Sequence, residues 1–147
     1  MNDKKTTKKD LQVQPRWSWR TDIPLVWLVV LAAISMPRTI MHDLRIIPLD
    51  SGLYTALAAV PLLIYLAVAI LRKNKRPFYD FLVIGLLFGL FLAVTHQLTW
   101  SASWGDSPPK IGGNLEGMLD PLLETFVLRF FTFTSSVMTG LTFGTIF

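Results

Sequence analysis

The chain has 147 residues, of which 52% are hydrophobic and only 16% are charged, and its mean hydropathy is +0.47. Soluble domains carry about 25% charged residues, and one of this size could not bury so much apolar surface, so an ordinary soluble fold is excluded. The chain has no cysteine, which excludes disulfides and cysteine-bound metal centres. Its net charge is +4, but the positive residues lie beside apolar runs rather than along a stripe that would bind nucleic acid. We therefore expect an all-α integral membrane protein with no nucleic-acid partner.

The N-terminal segment is polar and basic. Residues 1–15 show no apolar periodicity and are predicted to be a disordered tail, whereas residues 16–147 are predicted to form a single four-helix transmembrane domain. Trp17 and Trp19 follow the tail, and indole rings favour the level of the lipid headgroups. This stretch is therefore expected at the membrane surface.

The first span is predicted over about residues 22–42. Its charge-free part, Ile23 to Pro37, has only 15 residues. Such a helix is about 22 Å long, short of the ~30 Å hydrocarbon core, so the span must continue past Arg38, whose long stem can carry the charge outward. Pro37 predicts a kink one turn earlier, near Ala33. No small-residue cleavage site follows the run, which favours an uncleaved anchor over a signal peptide.

Two further spans are predicted over residues 51–71 and 78–100. The second span has 21 uncharged residues, with Asp50 or Ser51 placed to cap its start and Pro61 placed to bend it. The third span follows Pro77, a residue that suits a helix start, and it contains a single histidine.

The fourth span is predicted over residues 121–146. Asp120 and Pro121 form a helix start signal, an N-cap followed by proline at the first helical position. The preceding stretch, residues 101–120, is rich in glycine and proline and is predicted to be a loop.

The orientation of the spans follows from the lysine and arginine residues. Six lie in the N-terminal segment and four in residues 72–76, against two in residues 38–50 and one in residues 101–120. Because positive residues concentrate on the cytoplasmic side, we expect a multi-pass protein of the cell membrane with both termini cytoplasmic. Short connections then give an antiparallel helical bundle surrounded by the lipid bilayer.

Small residues recur at four-residue spacing in the last two spans. These candidate helix-packing residues are Gly85, Gly89, Ala93, Ser136, Gly140 and Gly144. Such stripes allow helix backbones to approach closely, which favours contact between the third and fourth spans, while a homo-oligomer seam is the alternative. Aligning the two helices antiparallel predicts Gly85 level with Ser136, and Gly89 level with Thr132.

Polar residues at membrane depth are the candidates for a functional site. They are Arg129, His96, Gln97, Glu124 and Arg38. Arg129 lies about 12 Å into its helix, where a charge costs ~2.5 kcal/mol or more without a partner. Its guanidinium is expected to point into the bundle and to meet groups from other spans, with His96 or Gln97 favoured over Asp43 and Asp50. It is either an anion-attracting or gating charge or a structural tie. His96 either carries protons or forms a neutral interhelical hydrogen bond.

The sequence carries no signature of an enzyme. It has neither a Gly-x-Ser-x-Gly elbow nor a phosphate-binding loop, and although His42, His96 and several acids lie toward the outer face, no metal-binding spacing places two of them on one helix side. We therefore predict no catalytic residues, metal or cofactor. The favoured function is a non-catalytic accessory or partner-binding membrane subunit, and the alternative is a small transporter or channel with an outward-facing polar cavity around Arg129 and His96.

The orientation can be tested by thiol labelling, because the chain contains no cysteine of its own. In sealed cells, Lys110→Cys should react with a membrane-impermeant thiol reagent, whereas Lys73→Cys should not, since the first lies in the outer loop and the second in the cytoplasmic one. Labelling of Lys73→Cys together with protection of Lys110→Cys would reverse the orientation.

Overall fold

The computed structural model describes residues 21–72 and 75–146. The tail predicted over residues 1–15, Trp17, Trp19 and Lys73 lie outside the described residues. The described chain folds as helices joined by loops, in this order: α1 Leu25–Ile34, α2 Met36–Asp43, α3 Gly52–Leu71, α4 Pro77–Leu98, α5 Trp100–Trp104, a single 3-10 turn at Gly113–Leu115, and α6 Pro121–Ile146.

Four helical stretches are long and apolar enough to cross a membrane, which confirms the predicted helical fold with four candidate spans. They are Leu25–Asp43, Gly52–Leu71, Pro77–Leu98 and Pro121–Ile146. The first therefore begins three residues later than the expected start at residue 22. The third ends two residues before the expected end at residue 100, because the helix breaks at Thr99 before α5 begins.

The first span is interrupted at Ser35, and the expected position of the kink, Ala33, was two residues early. Pro37 has no N–H and its ring crowds the preceding turn, so the chain restarts as α2 with this proline in its first turn. The backbone N–H of Ser35 donates to the carbonyl of Ala33. From α3, the hydroxyl of Tyr65 donates to the carbonyl of Leu31 at 2.8 Å and lies 2.9 Å from the Ser35 hydroxyl. Tyr65 thus links α3 to the interruption between α1 and α2 through hydrogen bonds.

The second span begins where its cap allows. Ser51 is the N-cap, because its hydroxyl accepts the N–H of Tyr54 at 3.1 Å, and of the two expected candidates it is therefore Ser51 rather than Asp50 that caps the helix. Pro61 lies inside α3, which continues without interruption to Leu71.

Helices α4 and α6 pack backbone against backbone. Gly85 contacts the carbonyl of Gly140, and the backbone of Gly144 lies against the carbonyl of Phe81. A Cβ atom added at Gly89 would lie 2.9 Å from the carbonyl oxygen of Val137. Residues that come later in α4 therefore contact residues that come earlier in α6, so the two helices run in opposite directions. Ala93 is fully buried and Ser136 nearly so.

The stagger between α4 and α6 differs from the predicted one. Gly85 lies level with Gly140 rather than Ser136, and Gly89 lies beside Val137 rather than Thr132. The difference is about one helical turn. In the observed stagger, the glycines of α4 lie beside the glycines of α6. Because glycine has no side chain, the two helix backbones come into direct contact at these positions.

A compact apolar cluster joins the other helices to α4. Its buried members are Ile23, Leu28, Leu31, Ala32, Tyr65, Phe81 and Ile84. Because α1 is packed against α4, α2 is carried along α4 toward its C-terminal end, where the candidate site lies.

The other end of α4 is joined to the start of the first span through two aspartates. Asp80 is completely buried, and its Oδ1 accepts the N–H of Asp22 at 2.8 Å. In return, Oδ2 of Asp22 accepts the N–H of Arg76 at 2.9 Å, directly before α4. This reciprocal bonding, which we call the Asp22–Asp80 latch, satisfies backbone donors at both chain segments. It was not foreseen from the sequence.

The α4–α6 contact can be tested with Gly89→Leu and the control Gly52→Leu. A side chain at Gly89 would meet the backbone of α6, whereas one at Gly52, at the start of α3, meets nothing within 4 Å. Gly89→Leu should lower the free energy of unfolding by about 1–3 kcal/mol, the usual cost of overpacking. Thermal unfolding in detergent measures both, and equal stability of the two variants would contradict this packing.

Candidate functional site

A buried carboxylate lies at the end of α2. The side chain of Asp43 is only 3% exposed, and each of its oxygens faces an imidazole. Oδ1 lies 3.1 Å from Nδ1 of His42, and Oδ2 lies 2.7 Å from Nδ1 of His96. His96 comes from α4, 53 residues further along the chain. A buried charge is costly unless it is hydrogen-bonded, so these contacts are what allow Asp43 to lie here.

The break between α4 and α5 completes the surroundings of Asp43. The hydroxyl of Thr99, the residue at the break, donates to Oδ2 of Asp43 at 2.7 Å. The hydroxyl of Ser103 in α5 donates to the backbone carbonyl of Asp43 at 3.2 Å. Together, Asp43, His42, His96 and Thr99 form what we call the carboxylate network.

The network determines which nitrogen of His96 faces outward. An ionised carboxylate only accepts hydrogen bonds, so a neutral His96 donates from Nδ1 and keeps a lone pair on Nε2. No hydrogen bond joins this Nε2 to any described residue, and it is not among the buried unpartnered atoms. The side chain of His96 is 28% exposed. In the neutral form of His96, Nε2 is therefore an accessible acceptor held in a fixed orientation.

The carboxylate network opens into a cavity of about 680 Å³, which we call the α2–α5 cavity. It is lined by His42, Asp43, Arg45, Ile46, Ile47, Pro48, Leu49, His96, Trp100, Ser103, Trp104 and Thr132. Arg45 has a positive φ of 55°, and its guanidinium donates to the carbonyl of Ser103 at 2.6 Å. This bond holds the loop after α2 against α5 and shapes the cavity wall.

Arg129 does not reach His96, so the favoured pairing between these two residues was wrong. Its guanidinium carbon lies 5.1 Å from the ring centroid of Trp100, a cation–π geometry. Gln97 does contact Arg129, but its Nε2 donates to the backbone carbonyl at 3.1 Å and not to the side chain. His96 is held by Asp43 instead, because α2 brings that carboxylate closer. The α2–α5 cavity is thus centred on His96 and Asp43, and Arg129 is not in its wall.

The remaining candidates lie apart from the carboxylate network. Oε1 of Glu124 accepts the N–H of Ile111 at 2.7 Å and fastens the loop before α6, beside a separate cavity of about 410 Å³. The guanidinium of Arg38 donates to the Tyr54 hydroxyl at 2.7 Å and stacks over that ring at 4.5 Å. Of the five predicted polar residues, Gln97 and Arg129 contact each other, and the other three belong to separate local arrangements, so the five do not form one site.

The sequence reasoning did not identify Asp43 as the centre of the site. Asp43 was predicted only as one of several partners for Arg129 and as one of several acids toward the outer face, and Thr99 was not a candidate. The sequence does place an acidic residue, Asp43, in the last turn of the first span, and His96 is the only histidine of the third span. These two residues lie at the same level if the two spans lie side by side. Among residues 21–72 and 75–146, no group of three or more histidine, aspartate and glutamate side chains is arranged to hold a metal ion.

The chain matches no protein-family model, no curated protein and no solved structure.

The role of Arg129 can be tested by a double-mutant cycle. Arg129→Met, Trp100→Leu and the double variant should reveal a coupling of about 0.5–2 kcal/mol, the range for a cation–π pair. Lys110→Met, at an exposed lysine of the preceding loop, is the matched control and should leave stability unchanged. Unfolding in detergent measures each variant, and zero coupling between Arg129 and Trp100 would show that the guanidinium acts elsewhere.

Proposed function

We propose that the chain is an integral protein of the cell membrane with four spans in an antiparallel bundle and both ends in the cytoplasm. Support comes from the large apolar side chains that each candidate span exposes, such as Val26, Leu63, Val94 and Phe130. A bilayer would cover these surfaces, whereas water would not favour them. The asymmetry of lysine and arginine between the loops supports the orientation.

We further propose that the protein binds a small ligand in the α2–α5 cavity, as a small transporter or channel does. The observation that supports this function is a buried carboxylate with two histidines at the end of two candidate spans, opening into a cavity of about 680 Å³. Ionisable residues at membrane depth are costly and usually mark sites for solutes or protons. Ligand-binding cavities of proteins commonly have volumes of about 300–1,000 Å³ and are mostly apolar with a few oriented polar groups. The α2–α5 cavity fits this description.

The two ends of the bundle support an outward-facing arrangement. In the proposed orientation the α2–α5 cavity faces outside, while the Asp22–Asp80 latch joins the chain segments at the cytoplasmic end. A ligand would therefore enter from the outside. This proposal keeps the outward-facing polar cavity of the sequence-based alternative but moves its centre from Arg129 to Asp43 and His96.

Ligand binding can be tested by thermal stability in detergent against a panel of neutral, cationic and anionic solutes. A ligand present at about 100 times its Kd should stabilise the folded state by about 2.7 kcal/mol. Leu49→Trp would fill the cavity from its exposed loop and should abolish this stabilisation. Leu53→Trp, at a similarly exposed leucine outside the cavity wall, should preserve it.

The two tryptophan variants determine how the result is interpreted. Loss of stabilisation in Leu49→Trp alone supports binding in the α2–α5 cavity. Stabilisation that persists in Leu49→Trp for every effective solute, or the absence of any effective solute, would contradict the proposal.

The second candidate function is a non-catalytic accessory subunit that binds a membrane-protein partner or a second copy of itself. It is favoured by α3, in which Pro61 and Tyr65 are the buried residues while leucines such as Leu63 and Leu66 are exposed. Purification in mild detergent would test it, because an accessory subunit should copurify with a partner at fixed stoichiometry, and a monomer free of other proteins would contradict it.

A further inference from the structure

The acceptor on His96 defines what a ligand must offer. When Nδ1 of neutral His96 donates to Asp43, Nε2 presents a lone pair at the wall of the α2–α5 cavity. The Thr132 hydroxyl, also in the wall, already donates to the carbonyl of Leu128 at 2.9 Å. A ligand that fits this cavity must therefore bring its own hydrogen-bond donor to His96.

The charges around the cavity disfavour ionic ligands of either sign. Asp43 carries a negative charge beside the two imidazoles, and the guanidinium of Arg45 carries a positive charge in the same wall. An anion would meet Asp43 and the lone pair of His96, whereas a cation would meet Arg45. The charges of Asp43 and Arg45 have opposite signs and offset each other, and a neutral ligand avoids the cost of desolvating an ion.

The rest of the wall is apolar and aromatic. Ile46, Leu49, Trp100 and Trp104 contribute to it, and the indole rings of the two tryptophans lie 6.3 Å apart. These side chains gain from covering an apolar body. Taken together with the oriented acceptor on His96, they define an amphipathic ligand with a polar end.

We propose that the α2–α5 cavity binds a neutral, largely apolar molecule through a hydroxyl group that donates a hydrogen bond to Nε2 of His96. This inference rests on the proposed ligand-binding function and names its ligand class. Asp43 is a positioning residue in this arrangement, because it fixes the orientation of the His96 ring and does not itself receive the ligand.

Four probes with the same apolar body test the ligand class: 1-naphthol, 1-methoxynaphthalene, 1-naphthoate and 1-naphthylmethylammonium. Affinities are measured on the full chain in lipid nanodiscs, with binding to empty nanodiscs subtracted. The naphthol should bind about tenfold tighter than its methyl ether, the effect of one hydrogen bond that only the hydroxyl can donate. It should also bind tighter than both ions. Equal affinity of the naphthol and the ether would overturn the inference without any variant.

Two variants localise the hydrogen bond. His96→Phe should lower the ratio of the naphthol affinity to the ether affinity about tenfold, to near one. The ratio is compared because the loss of His96 also removes a partner of the buried Asp43 carboxylate. The control Thr134→Val removes a hydroxyl that donates within α6 to the carbonyl of Phe130 and lies outside the cavity wall, and it should alter neither affinity. Equal weakening of both probes by His96→Phe would indicate a change of cavity shape and would overturn the proposed hydrogen bond.

The result separates this inference from the function on which it rests. If an ionic probe binds most tightly and Leu49→Trp abolishes its binding, the cavity is a ligand site and the hydroxyl class is wrong. If Leu49→Trp changes the binding of none of the four probes, both the hydroxyl inference and the proposed cavity function are contradicted.

Discussion

The close approach of α4 and α6 is the contact on which the rest of the structure depends. Gly85 and Gly89 lie against Gly140 and Gly144 so closely that a Cβ atom at any of the four would collide with backbone. Helices in lipid gain little from hydrophobic association, so packing of this kind must hold them together. Helix α1 packs against α4, and its continuation α2 places Asp43 beside His96. The glycine contact and the carboxylate network thus share α4 as their common element.

The number and type of the helices could be predicted because each rests on a local property of the sequence. A charge-free run of about 20 residues determines the length of a candidate span whatever its neighbours are. The stagger of α4 on α6 could not be predicted in the same way. Four-residue spacing identifies the contacting face, but it leaves Gly85 equally able to lie beside Ser136 or Gly140. Only the close approach of two backbones distinguishes these registers, and that property belongs to the pair of helices.

The site was predicted less well than the fold, for a related reason. The polar residues at membrane depth were identified one by one from their cost in lipid, but their partners depend on which helices touch. Asp43 and His96 are 53 residues apart, and their contact requires α2 to lie beside the end of α4. Arg129 was expected to need a polar partner, whereas the ring of Trp100 serves it. An aromatic face can stabilise a cation, and composition alone does not reveal when it does.

The glycine groove on α4 also has a consequence for biosynthesis. Residues 99–120 separate α4 from α6, so α4 leaves the ribosome while the helix that covers its groove is still being made. During that interval Gly85 and Gly89 lack the helix that covers them, and a bare groove of this kind can accept a helix from another chain. Helix α6 therefore completes the fold and also covers this groove. A delay in the docking of α6 would leave the groove open to contact with a second copy of the chain.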